Sequence, residues 1–138
     1  MSFEVYLECF EGGKPAGVER SLLRSLFPVV ETDLEPDCWQ IKYDSENSCH
    51  IRITSLESNP AMATFLAVFR PCADVRLWNS LLEIMRSGRV VLYYPGVAHP
   101  RVASKEAIGH LPPYIMEAMG QPAVVETTQE LMDAIANE

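Results

Sequence analysis

The stretch from residue 61 to residue 96 constrains the fold most, because it reads as a strand, a helix and a second strand joined without slack. An apolar run, Thr64-Phe65-Leu66-Ala67-Val68-Phe69, stops at Arg70-Pro71. The spacing then predicts a helix from about Asp74 to Arg86, followed by Gly88 and the extended segment Val90-Val91-Leu92-Tyr93-Tyr94. On the helix, Leu77, Trp78, Leu81, Leu82 and Met85 make one broad apolar stripe, with Asp74 near its cap and Gly88 just past its end. The second strand has no polar alternation, which is the pattern of a strand covered on both faces. This unit is built for packing. It holds no glycine-rich phosphate loop, no metal-spaced ligands and no nucleophile elbow.

The flanking segments extend the pattern. Phe3, Val5, Leu7 and Cys9 alternate with Glu4, Tyr6 and Glu8 as in a half-buried strand, which Glu11-Gly12-Gly13-Lys14-Pro15 breaks. Val18, Leu22, Leu23, Leu26 and Phe27 recur at helical spacing until Pro28. After an exposed connection, Trp39, Ile41 and Tyr43 share one face of a hairpin arm and Cys49, Ile51 and Ile53 one face of the other. Towards the C-terminus, Ser104 can cap a single turn, and Pro112-Pro113 opens a short helix closed by Gly120. Ala123-Val124-Val125 fits an edge strand, and Thr127 with Glu130 forms a capping box before a terminal helix. No repeat, low-complexity tract or linker divides residues 1–138, so one domain is expected. Short turns between consecutive strands favour antiparallel pairing, and the expected architecture is an α+β two-layer sandwich, a mainly antiparallel sheet with helices on one face.

Charge narrows the function. The formal net charge is −8, and it is unevenly spread: residues 1–60 carry −6, residues 61–105 carry +4 and residues 106–138 carry −6. A net-acidic chain is repelled at long range by nucleic acid and anionic lipid, so neither is an expected partner. Apolar runs of about five residues fall far short of the ~20 that a membrane helix needs. Met1-Ser2-Phe3-Glu4-Val5 has neither the basic region nor the apolar core of an export signal, so a cytoplasmic protein is expected, with Cys9, Cys38, Cys49 and Cys72 as free thiols.

Candidate chemistry is sparse. Cysteine gaps of 29, 11 and 23 residues do not match the paired spacing of a zinc site, and no metal or other cofactor is expected. Cys49 and His50 are adjacent, but on a strand they point to opposite faces and cannot act as a dyad. Arg70, Cys72 and His99 lie near the ends of the central unit, where a pocket between sheet and helices would bring a small-molecule site or a small enzyme's active site. The other cluster is Glu31, Asp33, Glu35 and Asp37, four carboxylates that an extended chain would present on one face at ~7 Å steps. Such a strip either solvates an exposed edge or steers a basic protein partner.

The segments Phe10-Glu11-Gly12-Gly13, Trp39-Gln40-Ile41-Lys42-Tyr43, Arg70-Pro71 and Asp74-Val75-Arg76-Leu77-Trp78, with the size, acidity and element order of the chain, resemble small immunity-type proteins of bacterial polymorphic toxin and type VI secretion systems. The resemblance implies a non-enzymatic cytoplasmic protein that binds and blocks a cognate toxin, and it carries over no individual binding residue. The expected function is therefore a protein-binding module, an immunity or adaptor protein docking a basic partner such as a toxin. The alternatives are the small enzyme or small-molecule binder and an oligomer-forming protein that uses an edge strand.

Overall fold

A computed structural model describes residues 3–32 and 34–136 of the chain. Among these, nine strands form one sheet: β1 (Glu4–Glu11), β2 (Lys14–Pro15), β3 (Val18–Glu19), β4 (Cys38–Lys42), β5 (Ser48–Leu56), β6 (Asn59–Phe69), β7 (Val90–Tyr93), β8 (Arg101–Val102) and β9 (Ala123–Val124). The helices are α1 (Arg20–Leu26), α2 (Val75–Ser87), α3 (Lys105–Ile108), α4 (Pro113–Met119) and α5 (Thr128–Ala136). The strand order is β4-β5-β6-β1-β7-β8-β9, with β2 paired to β1 and β3 to β6. All pairings are antiparallel except β8 with β9. The α+β class and the mainly antiparallel sheet expected from the sequence are what the chain adopts.

The central strand–helix–strand unit is present, but its two strands are not neighbours. β1 runs between β6 and β7 and pairs with both, Leu7 lying opposite Leu66 on one side and Leu92 on the other. Alternation then settles the faces. Val5, Leu7, Leu66, Val68, Val90 and Leu92 point to the main core, where they meet Leu77, Trp78, Leu81 and Met85 of α2, Leu23 of α1 and Leu131 of α5. Val91, one residue out of phase, joins Phe10 and Val102 in a smaller cluster with Ala107 of α3 and Ile115 of α4. This is why β7 carries no polar alternation. Helices α1, α2 and α5 cover one face, but the helices are not confined to it as expected: α3 and α4 cover one end of the other, where the apolar residues Phe10, Val91 and Val102 require burial.

One local reading changes and another gains detail. Val18 does not open the first helix; it pairs with Ala63 in the sheet, and α1 begins two residues later. Its spacing to Leu22 imitates a helical period, but Gly17 passes so close to Met62 that the backbone there joins the sheet. The Gly12-Gly13 break is a tight hairpin, both glycines having positive φ, that returns the chain from β1 into β2. The outer side of β4 is shielded by residues 28–30, through the Val29–Ile41 bridge and the hydrogen bond from Val30 N–H to the Gln40 carbonyl. That end of the sheet is therefore a blunted edge.

Candidate functional site

Glu4, Tyr6 and Glu8 of β1 face away from the main core, as does Phe10 at the covered end of the strand. Register places Phe69, Ala67 and Phe65 of β6 beside them on one side and Tyr93 and Val91 of β7 on the other. The next strand, β5, adds His50, Arg52 and Thr54 to the same face. Helices α3 and α4 bury only the end at Phe10, Val91 and Val102. Beyond them Tyr6, Phe65, Phe69 and Tyr93 are only partly buried, and His50, Arg52 and Thr54 are exposed.

The aromatic rings form a row across three strands. Tyr6 stacks on Phe65, with centroids 5.5 Å apart and planes at 28°, and lies 5.4 Å from Tyr93. Tyr114 of α4, 56% exposed, stands edge-on to Phe10 at the covered end. Glu8 lies half-buried within this aromatic surface and accepts a hydrogen bond of 2.9 Å from the Tyr93 hydroxyl. Burial raises the Glu8 pKa, opposed by that bond, while burial and the Glu8 charge push Tyr93 up in turn. Tyr6 donates to Glu4, which raises the tyrosine's pKa. Shallow depressions flank the row: one of about 490 Å³ lined by Phe3, Glu4, Phe69, Arg70 and Pro95, and one of about 250 Å³ that includes Tyr6, Tyr93, Pro95 and Met119.

The acidic segment takes a different form from the extended strip its alternation suggested. It is an irregular loop, and Asp33 lies outside the described residues. Glu31 pairs with Arg24 at 2.5 Å and Asp37 with Arg20 at 3.3 Å, both arginines projecting from α1 over the Trp39 ring. Glu35 has no ion pair among the described residues and lines a depression of about 270 Å³ with Cys38, Gln40 and His50 at the β4 end of the open face.

Arg70, Cys72 and His99 are not brought into one pocket. Arg70 lines the 490 Å³ depression and has a φ of 51°, a left-handed conformation that few non-glycine residues adopt. Cys72 packs against the main core, its carbonyl accepting from Trp78 Nε1 at 2.9 Å. His99 holds its Nδ1 3.0 Å from the Gln121 carbonyl in the loop after β7. Cys49 and His50 do point to opposite faces, Cys49 buried and His50 exposed. Among the described residues, no group of three or more histidine, cysteine or acidic side chains is placed to hold a metal ion.

Sequence reasoning missed the aromatic row, although a signal was there. Tyr6 occupies the same phase as Glu4 and Glu8, and with Phe10 it puts aromatics at the outward phase of β1, which marks a face that is not plain solvent-facing surface.

Fold and site together define an α+β protein with an open, aromatic sheet face that carries the carboxylates of Glu4 and Glu8 and, two strands away, the exposed Arg52. No family model, curated protein or solved structure matches this chain. Among the described residues, no helix is long and apolar enough to cross a membrane.

Proposed function

We propose that this chain is a non-enzymatic protein-binding module, of the immunity or adaptor kind, that docks a basic protein partner on the open face of its sheet. The observation that carries the reading is the contiguous row Phe65–Tyr6–Tyr93, left only partly buried on three adjacent strands beside the carboxylates of Glu4 and Glu8. Aromatic side chains are costly to leave in water and are enriched at the centres of protein interfaces. Carboxylates around them select a partner of opposite charge. The acidic loop at 31–37 then acts at the rim: with Glu31 and Asp37 already paired, its role is to steer approach.

Capture from lysate of the source organism tests this. Immobilised wild-type chain should retain a basic protein that the Tyr6→Ala/Phe65→Ala variant loses, while a Glu31→Lys/Glu35→Lys variant keeps it at physiological salt. Circular dichroism establishes that both variants are folded. Equal retention by the aromatic variant would remove the open face from the function. The depression holding Arg70 and Glu4 favours a second reading, a small-molecule binder, because it places opposite charges beside Phe3 and Phe69. A ligand that raises the wild-type melting temperature but not that of Arg70→Ala would support it.

A further inference from the structure

Most acidic side chains that enter the ion pairs of this molecule meet arginines: Glu31 with Arg24, Asp37 with Arg20, Asp74 and Asp44 with Arg76, Glu83 with Arg86, Glu11 and Glu106 with Arg89. Glu8 does not. It is half-buried, its one hydrogen bond is to the Tyr93 hydroxyl, and among the described residues no cation forms an ion pair with it. The other titratable groups around it, Glu4, Tyr6, Tyr93 and Tyr114, are anionic or neutral, and Arg52 lies two strands away on β5.

An interface closing over this face would finish the desolvation of Glu8. A carboxylate buried without a counter-charge is strongly unfavourable, so an occupant must either supply a cation there or force Glu8 to take up a proton. The rings decide what kind of cation fits. Tyr6, stacked on Phe65 and 5.4 Å from Tyr93, joins these rings in one contiguous aromatic surface with the carboxylate one strand-repeat along at its margin. A planar guanidinium can lie against that surface and direct its forked N–H groups edgewise to Glu8, matching ring and carboxylate together better than a compact, more strongly hydrated ammonium. Resting on the docking face proposed above, we infer that Glu8 with Tyr6, Phe65 and Tyr93 forms a receptor for one arginine side chain of the partner.

Small probes test the receptor without the partner. N-acetyl-arginine methylamide, titrated into the full isotope-labelled chain, should shift the NMR ring signals of Tyr6, Phe65 and Tyr93. The neutral isostere N-acetyl-citrulline methylamide and the lysine analogue should each bind about tenfold more weakly or less. Glu8→Gln should reduce arginine binding to the citrulline level with the fold unchanged in the amide spectrum. Equal binding of arginine and citrulline, equal binding of arginine and lysine, or full binding by the Glu8→Gln variant would each overturn the inference. Its failure is separable from failure of the docking reading. A partner lost by Tyr6→Ala/Phe65→Ala but retained by Glu8→Gln leaves the face standing and removes the arginine receptor; a partner retained by both removes the face.

Discussion

Trp78 joins packing and hydrogen bonding in a single side chain. It is 4% exposed within the α2 stripe, and its Nε1 donates 2.9 Å to the Cys72 carbonyl, tying the segment before the helix to the helix itself. Trp78→Ala should cost roughly 3–5 kcal/mol, read from the urea midpoint, because a large cavity opens against Leu81 and Leu82. The thiols should separate by burial in the same way. Burial pushes Cys49 up to about 12, with Cys72 beside it adding to the shift, and raises Cys9 as well. Iodoacetamide at pH 8 should therefore modify Cys38 and Cys72, which are only partly buried, before Cys9 or Cys49. Peptide mapping that found Cys49 labelled as fast as Cys38 in the native protein would contradict the packing of β5 against α2.

At the scale of elements, the ends of helices govern what the loops can do. Asp74 caps α2: its carboxylate receives Arg76 Nε at 2.9 Å and NH2 at 2.7 Å, together with the Arg76 backbone N–H at 2.9 Å. These bonds, the guanidinium's first, hold its pKa at about 2, below the ordinary 3.8. A carboxyl whose folded pKa is depressed stabilises the fold fully above its unfolded pKa and loses that contribution as pH falls through the folded one. Thermal melts should therefore show wild type losing its advantage over Asp74→Asn between about pH 4 and about pH 2. An advantage independent of pH would mean that the charge of Asp74 does not matter. Gly120 ends α4 at φ 87° and ψ −175°, where an added Cβ would lie 2.8 Å from the Ala98 carbonyl oxygen. Gly120→Ala should cost about 1–3 kcal/mol from the backbone alone and more from that contact. Gly12→Asn, at φ 58° with open space around it, should be close to neutral in the same denaturation assay.

Across the whole molecule, charge is redistributed by folding. The acidic N-terminal and C-terminal stretches and the basic middle meet at Arg89, which bridges Glu11 and Glu106 at 2.9 Å each, and at Arg76, which reaches Asp44 at 3.6 Å as well as Asp74. Much of the sequence's charge asymmetry is thereby cancelled in space. If a basic partner docks on the open face, its rates should divide by region. Glu31→Lys/Glu35→Lys should slow association at 0.01 M salt and hardly at 0.15 M, since the Debye length falls from ~30 Å to ~8 Å. Tyr6→Ala/Phe65→Ala should instead speed dissociation at every ionic strength. Stopped-flow kinetics on the captured partner would separate these effects, and identical salt dependence for the two variants would exclude the division.

Local periodicity determined a large part of this protein from sequence alone. The alternation of β1, the unbroken apolar run of β7, the stripe of α2 between Asp74 and Gly88, and the turns at Gly12-Gly13 and Gly120 all follow from residues close together in the chain. That information was enough for the α+β class. Tertiary structure alone decided that β1 lies between β6 and β7, that Val18 joins the sheet, and that α3 and α4 cover the far face. It also decided that Glu31 and Asp37 are held by arginines of α1, and that Tyr6, Phe65 and Tyr93 meet in one row. Periodicity states which side of a strand or helix seeks burial, but not which distant segment supplies the neighbour. That choice is made when the whole set of apolar faces packs at once, and the candidate site, drawn from positions 6, 8, 65 and 93, exists only after it has been made.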